Sequence, residues 1–212
     1  MCERSGRLIV FDAIGAGRGR GADGESRGAG LEGRGRAADR LRAFADCEVG
    51  EACTGSEGEA AFAEGFGAGD VLFSATPLVK PCTGCFGCWT RTPGVCVLRD
   101  HCTEMPRLMA RCETFALVSP LVYGGFSHAV KAVLDRAIGY VQPFFRIVEG
   151  EMHHVPRYEG GFRLEAHFYG QSSEPERELA RRLVRANAVN YYASAFEVRF
   201  HENLGEAKEA LR

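Results

Sequence analysis

The residues best suited to chemistry are four cysteines in one short segment, PCTGCFGCWTRTPGVCVLRD. They follow the pattern C-x2-C-x2-C-x7-C, at Cys82, Cys85, Cys88 and Cys96. Four thiolates in a compact loop can hold a four-iron cluster. They can also hold tetrahedral zinc, although two well-separated C-x2-C pairs are the usual layout. Because Phe86 and Trp89 favour packing in the same loop, unligated thiols beside a ligand are the third interpretation.

A second candidate site is the segment SPLVYGGFS, which follows an apolar run and leads straight into an amphipathic pattern. Gly124 and Gly125 allow the backbone to approach a planar ring closely. Tyr123 or Phe126 can lie against such a ring. Amides of the loop can bind the carbonyl and nitrogen edge of a flavin. The alternative is an ordinary turn before a helix.

Cysteine usage and the apolar runs indicate the cellular setting. The chain has nine cysteines, six of them between Cys82 and Cys112. This odd and uneven set is unlike the disulfide framework of a secreted protein. The start, MCERSGR, lacks an apolar secretory signal, and no apolar run approaches the roughly 20 residues of a membrane span. We therefore predict a cytoplasmic protein.

The charge balance argues against nucleic acid or membrane as a partner. The formal net charge is -2 and the sequence pI is about 6.3, so no global basic field is present. The 212 residues suit a single domain over 1–212. Partners must therefore be recognised at local sites.

Five segments have the apolar, β-branched character of buried strands. They are Arg7–Ala13, Val71–Ala75, Phe115–Ser119, Arg163–Tyr169 and Ser194–Phe200. Helical patterns separate them, at Ala37–Ala45, Thr103–Cys112, Ser127–Ile138 and Ser173–Tyr191, with a polar tail after the last strand. This alternation predicts an α/β fold, a flavodoxin-like three-layer sandwich with a five-stranded parallel sheet in the order 2-1-3-4-5. The ligand is then expected where the loops after the first three strands meet, outside the strands' carboxyl ends.

Helix starts and helix faces are also predicted. Thr103 is expected to cap its helix, with Pro106 in the first turn. The last helix should begin with a capping box, in which Ser173 is followed by Glu176. A further set is expected at the exposed face and end of the helix Ser127–Ile138: Lys131, Asp135 and Arg136.

Two irregular segments complete the chain. Residues 13–35 are crowded with Gly and Arg and are expected to be flexible. Their GxGxxG pattern neither abuts the strand nor opens a helix, so we give it little weight. Residues 139–161 form a long, aromatic connection, predicted to be a folded excursion that covers a site or contacts a second subunit. Within it, His153 and His154 suit a solvated loop, or a nucleotide edge, better than a metal.

From about Val71 to the end, the sequence resembles the NADPH-dependent FMN reductase and flavodoxin-like oxidoreductase family, and in particular its cysteine-bearing branch related to iron-sulfur flavoproteins. The specific segments are the cysteine segment and SPLVYGGFSHAVKAVLDR. The supporting segments are PFFRIVEGEMHH and FYGQSSEPERELARRLVRANAVN. The resemblance implies FMN, hydride taken from NAD(P)H, an unknown electron acceptor, and a homodimer or larger homo-oligomer. It places five residues against the isoalloxazine: Pro120, Tyr123, Gly124, Gly125 and Phe126.

One part of the family's pattern is absent. The phosphate loop, Gly-Ser-Pro-Arg followed by Asn-Thr, is replaced by the Gly/Arg tract, in which Ser26 is the only hydroxyl. Arginines such as Arg18, Arg20 or Arg27 can supply charge for a phosphate but not an ordered cradle. Two alternatives to a flavin reductase therefore remain: an iron-sulfur flavoprotein electron carrier and a noncatalytic partner subunit.

Overall fold

The computed structural model describes residues 5–13, 62–75 and 79–212. The predicted helix Ala37–Ala45, the Gly/Arg tract from residue 14 onward, and Cys47 and Cys53 lie outside these residues.

The strands confirm the predicted sheet. The described residues form seven strands, numbered in chain order: β1 (Ser5–Phe11), β2 (Val71–Ser74), β3 (Cys112–Pro120), β4 (Val141–Val148), β5 (Glu151–Pro156), β6 (Arg163–Tyr169) and β7 (Ala195–His201). Five of them form one sheet in the order β2-β1-β3-β6-β7, and every neighbouring pair is parallel. Since β6 and β7 are the fourth and fifth strands of that sheet, its order is the flavodoxin-like 2-1-3-4-5.

The central strands are apolar throughout because both of their faces are covered. Leu8 and Val10 of β1 belong to the larger core cluster, on the side of the sheet that carries the long helices. Ile9 and Phe11 point to the other side, where Phe62 stacks on Phe11 with ring centroids 4.3 Å apart. The alternation along β1 thus divides the core between two layers.

Five helices flank the sheet in the described part of the chain. They are α1 (Gly87–Thr90), α2 (Met105–Arg111), α3 (His128–Arg136), α4 (Glu174–Asn190) and α5 (Leu204–Glu209). The capping box of Ser173 and Glu176 and the early position of Pro106 are confirmed. The cap of α2 is Glu104 rather than Thr103, whose hydroxyl lies within hydrogen-bond distance of carbonyl oxygens in the preceding loop. None of these helices is long and apolar enough to cross a membrane.

The C-terminal segment is not the predicted polar tail. Asn203 caps α5 by accepting a hydrogen bond from the Glu206 N–H, at 3.0 Å. Ala207 and Leu211 are buried against the second face of the sheet. The prediction was wrong because the burial of only two side chains docks this short helix. Two apolar positions leave little helical periodicity to detect in the sequence.

The long connection folds as an antiparallel hairpin of β4 and β5. Its turn uses Glu149 and Gly150, both at positive φ (51° and 85°), as a type I′ turn requires. The hairpin exposes large apolar side chains: Phe144, Phe145, Ile147 and Met152. Near its base, the Trp89 indole N–H of α1 reaches the Ile138 and Val141 carbonyl oxygens.

Candidate functional site

A cleft of about 500 Å³ lies at the carboxyl edge of the sheet. It is lined by residues at the ends of β3 and β6, in the loops after β3, β6 and β7, and at the start of α5: Pro120, Leu121, Tyr169, Gly170, Gln171, Glu202, Asn203, Leu204 and Gly205. Ligands of open α/β sheets bind at this edge. The volume falls within the roughly 300 to 1,000 Å³ typical of small-molecule sites. The sequence predicted the loops after the first three strands, and of these the β3 loop lines the cleft.

The end of β3 is held by a chain of hydroxyl groups. Ser119 is fully buried, and its hydroxyl accepts a hydrogen bond from the Ser127 N–H at 2.8 Å and donates to the Pro120 carbonyl at 2.9 Å. Ser127 in turn caps α3 by accepting from Val130 N–H. Val122 and Gly125 exchange two backbone hydrogen bonds of 3.0 Å. The segment Pro120–Phe126, the ligand loop from here on, is therefore closed at both ends.

Two of the five residues predicted to contact the flavin, Pro120 and Tyr123, are accessible on the outside of the ligand loop. Pro120 lines the cleft. The Tyr123 side chain is 89% exposed and the residue has φ 50°, so the ring projects into solvent from a left-handed backbone. The assignment of these residues to a cofactor stays a prediction.

The other three contacts pack against the body of the protein. Phe126 is buried and stacks on Phe168, with centroids 4.9 Å apart. Gly124 has φ 75°, and a Cβ there would lie 2.8 to 3.0 Å from the Leu179 side chain of α4. Gly125 likewise faces Leu183. At Gly125 a Cβ would lie 3.5 Å from Leu183, an ordinary contact, so close packing of α4 requires glycine at position 124 and not at 125, whatever ligand the loop binds.

Tyr169 is a site residue that sequence reasoning missed. It lines the cleft, and its hydroxyl donates to the Asp12 carbonyl at 2.6 Å, which joins the end of β6 to the end of β1. Burial, followed by the nearby Asp12 carboxylate, raises the pKa of Tyr169. The phenol therefore stays neutral and braces the edge of the sheet. Gln171 and Glu202 were missed too, although each lies just past a predicted strand.

The four cysteines of the C-x2-C-x2-C-x7-C pattern line one small cavity of about 40 Å³. Cys82 and Cys85 are exposed, whereas Cys88 and Cys96 are buried. All six cysteines of the described residues are free thiols. The segment from Pro81 to Cys96, the cysteine loop from here on, therefore gathers the thiols as the spacing suggested.

Arg136 anchors this loop and is not on the exposed end of α3 as predicted. It is 1% exposed, and its guanidinium makes two hydrogen bonds of 2.8 Å to the Asp100 carboxylate. It also donates to Cys96 Sγ at 2.9 Å and to the Lys80 and Leu98 carbonyls. Burial alone would raise the pKa of Asp100, but the Arg136 hydrogen bonds hold it below its usual range. Lys131 and Asp135, in contrast, form the expected exposed pair.

The thiols of the loop differ in chemical character. Hydrogen bonds from the Gly87 N–H and the Thr83 hydroxyl lower the pKa of Cys85. Burial raises the pKa of Cys88, and that of Cys102, behind the loop, to about 12. The exposed and buried cysteines are thus chemically distinct.

The arrangement does not fit a metal cluster. Across residues 5–13, 62–75 and 79–212, no three His, Cys, Asp or Glu side chains are placed to hold a common metal ion. The cavity among the thiols has room for roughly three water molecules, fewer atoms than the eight inorganic ones of a four-iron cluster. The iron-sulfur and zinc interpretations therefore receive no support from the described residues.

The two histidines of the hairpin do not lie in a solvated loop, and that prediction was wrong. His153 is buried on β5, with Nδ1 3.1 Å from Asn190 Oδ1. The His154 ring contacts both Trp89 and Phe145, with centroids 4.8 and 4.5 Å away. They pack the hairpin against α4 and the cysteine loop.

No family model and no curated protein sequence matches the chain. Among solved structures, it is similar to the FMN-dependent NADH-azoreductase of Bacillus anthracis in complex with FMN, at 9% identity and a TM-score of 0.49, over 97% of this chain and 92% of that one. It is also similar to the NAD(P)H:quinone oxidoreductase of Methanothermobacter marburgensis, at 13% identity and a TM-score of 0.47, over 98% and 93%. At these values the fold assignment rests on the strand order of the chain itself.

Proposed function

We propose that the protein is a cytoplasmic NAD(P)H-dependent FMN oxidoreductase whose flavin ring binds in the cleft at the ends of β3 and β6. The observation that carries the proposal is that this cleft lies at the carboxyl edge of a 2-1-3-4-5 sheet and is lined by the loop after β3, one of the two strands between which the strand order reverses. When bound, FMN would supply the redox chemistry, taking hydride from a nicotinamide nucleotide and passing electrons to an acceptor.

The described residues fit the ring end of such a ligand. Pro120, Leu121 and Leu204 give the cleft apolar walls that exclude water from a ring face. Gln171 and Glu202 bring polar groups to the same cleft for orientation. Tyr123, two residues after Leu121 in the same loop, is exposed and is our candidate for stacking on the ligand. The segment that would meet the phosphate follows β1 and lies outside the described residues.

The hairpin is our candidate for the surface that a second copy of the chain covers. Phe144, Phe145 and Ile147 of β4 are all more than half exposed, so both faces of the strand present apolar groups. A two-stranded hairpin is marginal alone, and packing against another surface stabilises it. Light scattering should give the mass of a dimer, and Phe144→Ser with Ile147→Ser should give that of a monomer. A wild-type monomer would contradict this proposal.

The experiment that tests the function is an FMN titration of the full-length protein, followed by flavin fluorescence. A Leu121→Trp variant fills the cleft, and we expect it to weaken binding about tenfold or more, which is about 1.4 kcal/mol. Val189→Trp adds the same ring to the exposed far end of α4 and should bind FMN as the wild type does. Protein that stays colourless after excess FMN and desalting would overturn the proposal and favour a noncatalytic partner subunit.

A further inference from the structure

Two exposed thiols lie at the opening of the cysteine cavity. Cys82 and Cys85 are exposed and two residues apart, and both line the cavity. Gly84 and Phe86 have positive φ values of 67° and 52°, so the chain turns tightly around Cys85. The pair is neither buried in the core nor engaged in a disulfide.

The backbone passes close to both sulfurs. Gly84 N–H lies 3.5 Å from Cys82 Sγ. A Cβ at Gly87 would lie 3.6 Å from Cys85 Sγ and 2.5 Å from a Val97 methyl carbon, so the absence of a side chain there keeps the turn close to the Cys85 sulfur. The loop is therefore held in a conformation that keeps both thiols accessible, and the lowered pKa of Cys85 favours its thiolate as the nucleophile.

We propose that Cys82 and Cys85 form a redox-active dithiol that exchanges with low-molecular-weight disulfides. The Cys85 thiolate attacks one sulfur of the disulfide RSSR, the S–S bond breaks, and RS⁻ leaves and is protonated to RSH. Cys82 then attacks the Cys85 sulfur of the mixed disulfide, forming the Cys82–Cys85 bond and releasing a second RSH. The protein loses two electrons and two protons, and RSSR gains both. No flavin takes part, so this inference is independent of the proposed function.

The other two cysteines of the loop, Cys88 and Cys96, are buried and are not part of the proposed dithiol. Cys96 is buried and accepts a hydrogen bond from Arg136, which is itself fixed by Asp100. Cys88 is buried next to it. Because Cys88 and Cys96 point inward, Cys82 and Cys85 are the thiols of the cysteine loop that a disulfide in solution can reach.

The test is exchange with oxidised glutathione on reduced, desalted full-length protein, read by peptide mass spectrometry. We expect a Cys82–Cys85 disulfide. Cys82→Ser should stop at one glutathione on Cys85, because the second attack is lost, and Cys85→Ser should form neither product at this pair. Cys112→Ala removes a buried thiol of the β3 strand and should behave as the wild type.

A second readout on the unmutated chain covers the case in which a variant fails to fold. Brief iodoacetamide treatment should alkylate Cys85 first and leave the fully buried Cys102 unmodified. The proposal is overturned if Cys85 is no more reactive than Cys112, or if glutathione yields no disulfide between Cys82 and Cys85. It is also overturned if the purified protein holds stoichiometric iron and sulfide that block both thiols.

Discussion

The ligand loop and the cysteine loop both follow strands of the same sheet, but they are held in opposite ways. The ligand loop is closed by backbone and hydroxyl hydrogen bonds and by contact of Gly124 with Leu179. The cysteine loop is held by the buried guanidinium of Arg136 and by the Trp89 indole, which reaches the base of the hairpin. The first is a rigid turn that leaves one ring, Tyr123, in solvent, and the second is a longer loop with a buried charged anchor.

This difference separates the two chemistries. A flat ligand needs a fixed backbone edge, which local hydrogen bonds and helix packing provide. Exchange between thiols needs accessible sulfurs close together in the chain, which Cys82 and Cys85 provide between the two anchored ends of the loop. We therefore expect damage to one loop to leave the other working.

The largest effect should come from Arg136→Met. The change leaves the Asp100 carboxylate buried without its partner, which costs about 3 to 5 kcal/mol in comparable buried pairs. Urea unfolding should show this loss. Lys131→Met, which breaks the exposed pair with Asp135 on the same helix, should cost no more than about 0.5 kcal/mol. Equal losses in the two variants would mean that Arg136 does not anchor the cysteine loop.

The next effect compares one glycine from each loop. Gly84 and Gly124 both have positive φ, but a Cβ at Gly84 would meet nothing within 4 Å, whereas at Gly124 it would strike Leu179. Each change to alanine should destabilise the protein by about 1 to 3 kcal/mol through backbone strain. Gly124→Ala should cost more, and Leu179→Ala should remove only that excess in a double-mutant cycle. Identical costs would show that α4 does not constrain the ligand loop.

The ion pair that anchors the cysteine loop should contribute to the pH dependence of stability. The folded-state pKa of Asp100 is lowered, so its contribution to the free energy of unfolding is present above the unfolded pKa, about 3.9, and is lost as pH falls through the folded value. Asp100→Asn should therefore flatten the fall in stability below about pH 4. An unchanged slope in Asp100→Asn would contradict the ion-pair account.

The smallest effect on stability should come from Tyr123→Ala in the ligand loop. Because the ring is 89% exposed, the free energy of unfolding should change by less than about 0.5 kcal/mol. FMN affinity should nevertheless fall, since the ring is our stacking candidate. The reverse pattern, lost stability with unchanged affinity, would place Tyr123 in the fold rather than in the site.

The sheet could be predicted because its signal is local. Runs such as Leu8 to Phe11 are apolar at every position, as strands covered on both faces must be. The role of Arg136 could not be predicted, because its partner Asp100 lies 36 residues away in a loop without periodicity. The hairpin was not predicted as strands for a related reason. Because β4 exposes apolar residues on both faces, its sequence lacks the alternation of apolar and polar residues that indicates a strand.

The candidate site was predicted only in part. The family resemblance placed Pro120 against a ligand, and position after an apolar strand pointed only to its loop. The same positional rule applied to the later strands would have pointed to Gln171 and Glu202. The glycines of the ligand loop were linked to a ligand because sequence shows that a Cβ is missing but not which neighbour requires it. Leu179, more than fifty residues later, is the neighbour that the fold supplies.

The most direct test of the flavin proposal is the rate of NADH and NADPH oxidation by the full-length protein with FMN, followed by the absorbance of the reduced nicotinamide. The account predicts a rate well above that of free FMN, lost in Leu121→Trp and kept in Cys82→Ser with Cys85→Ser. A rate no higher than that of free FMN with either nucleotide would contradict it.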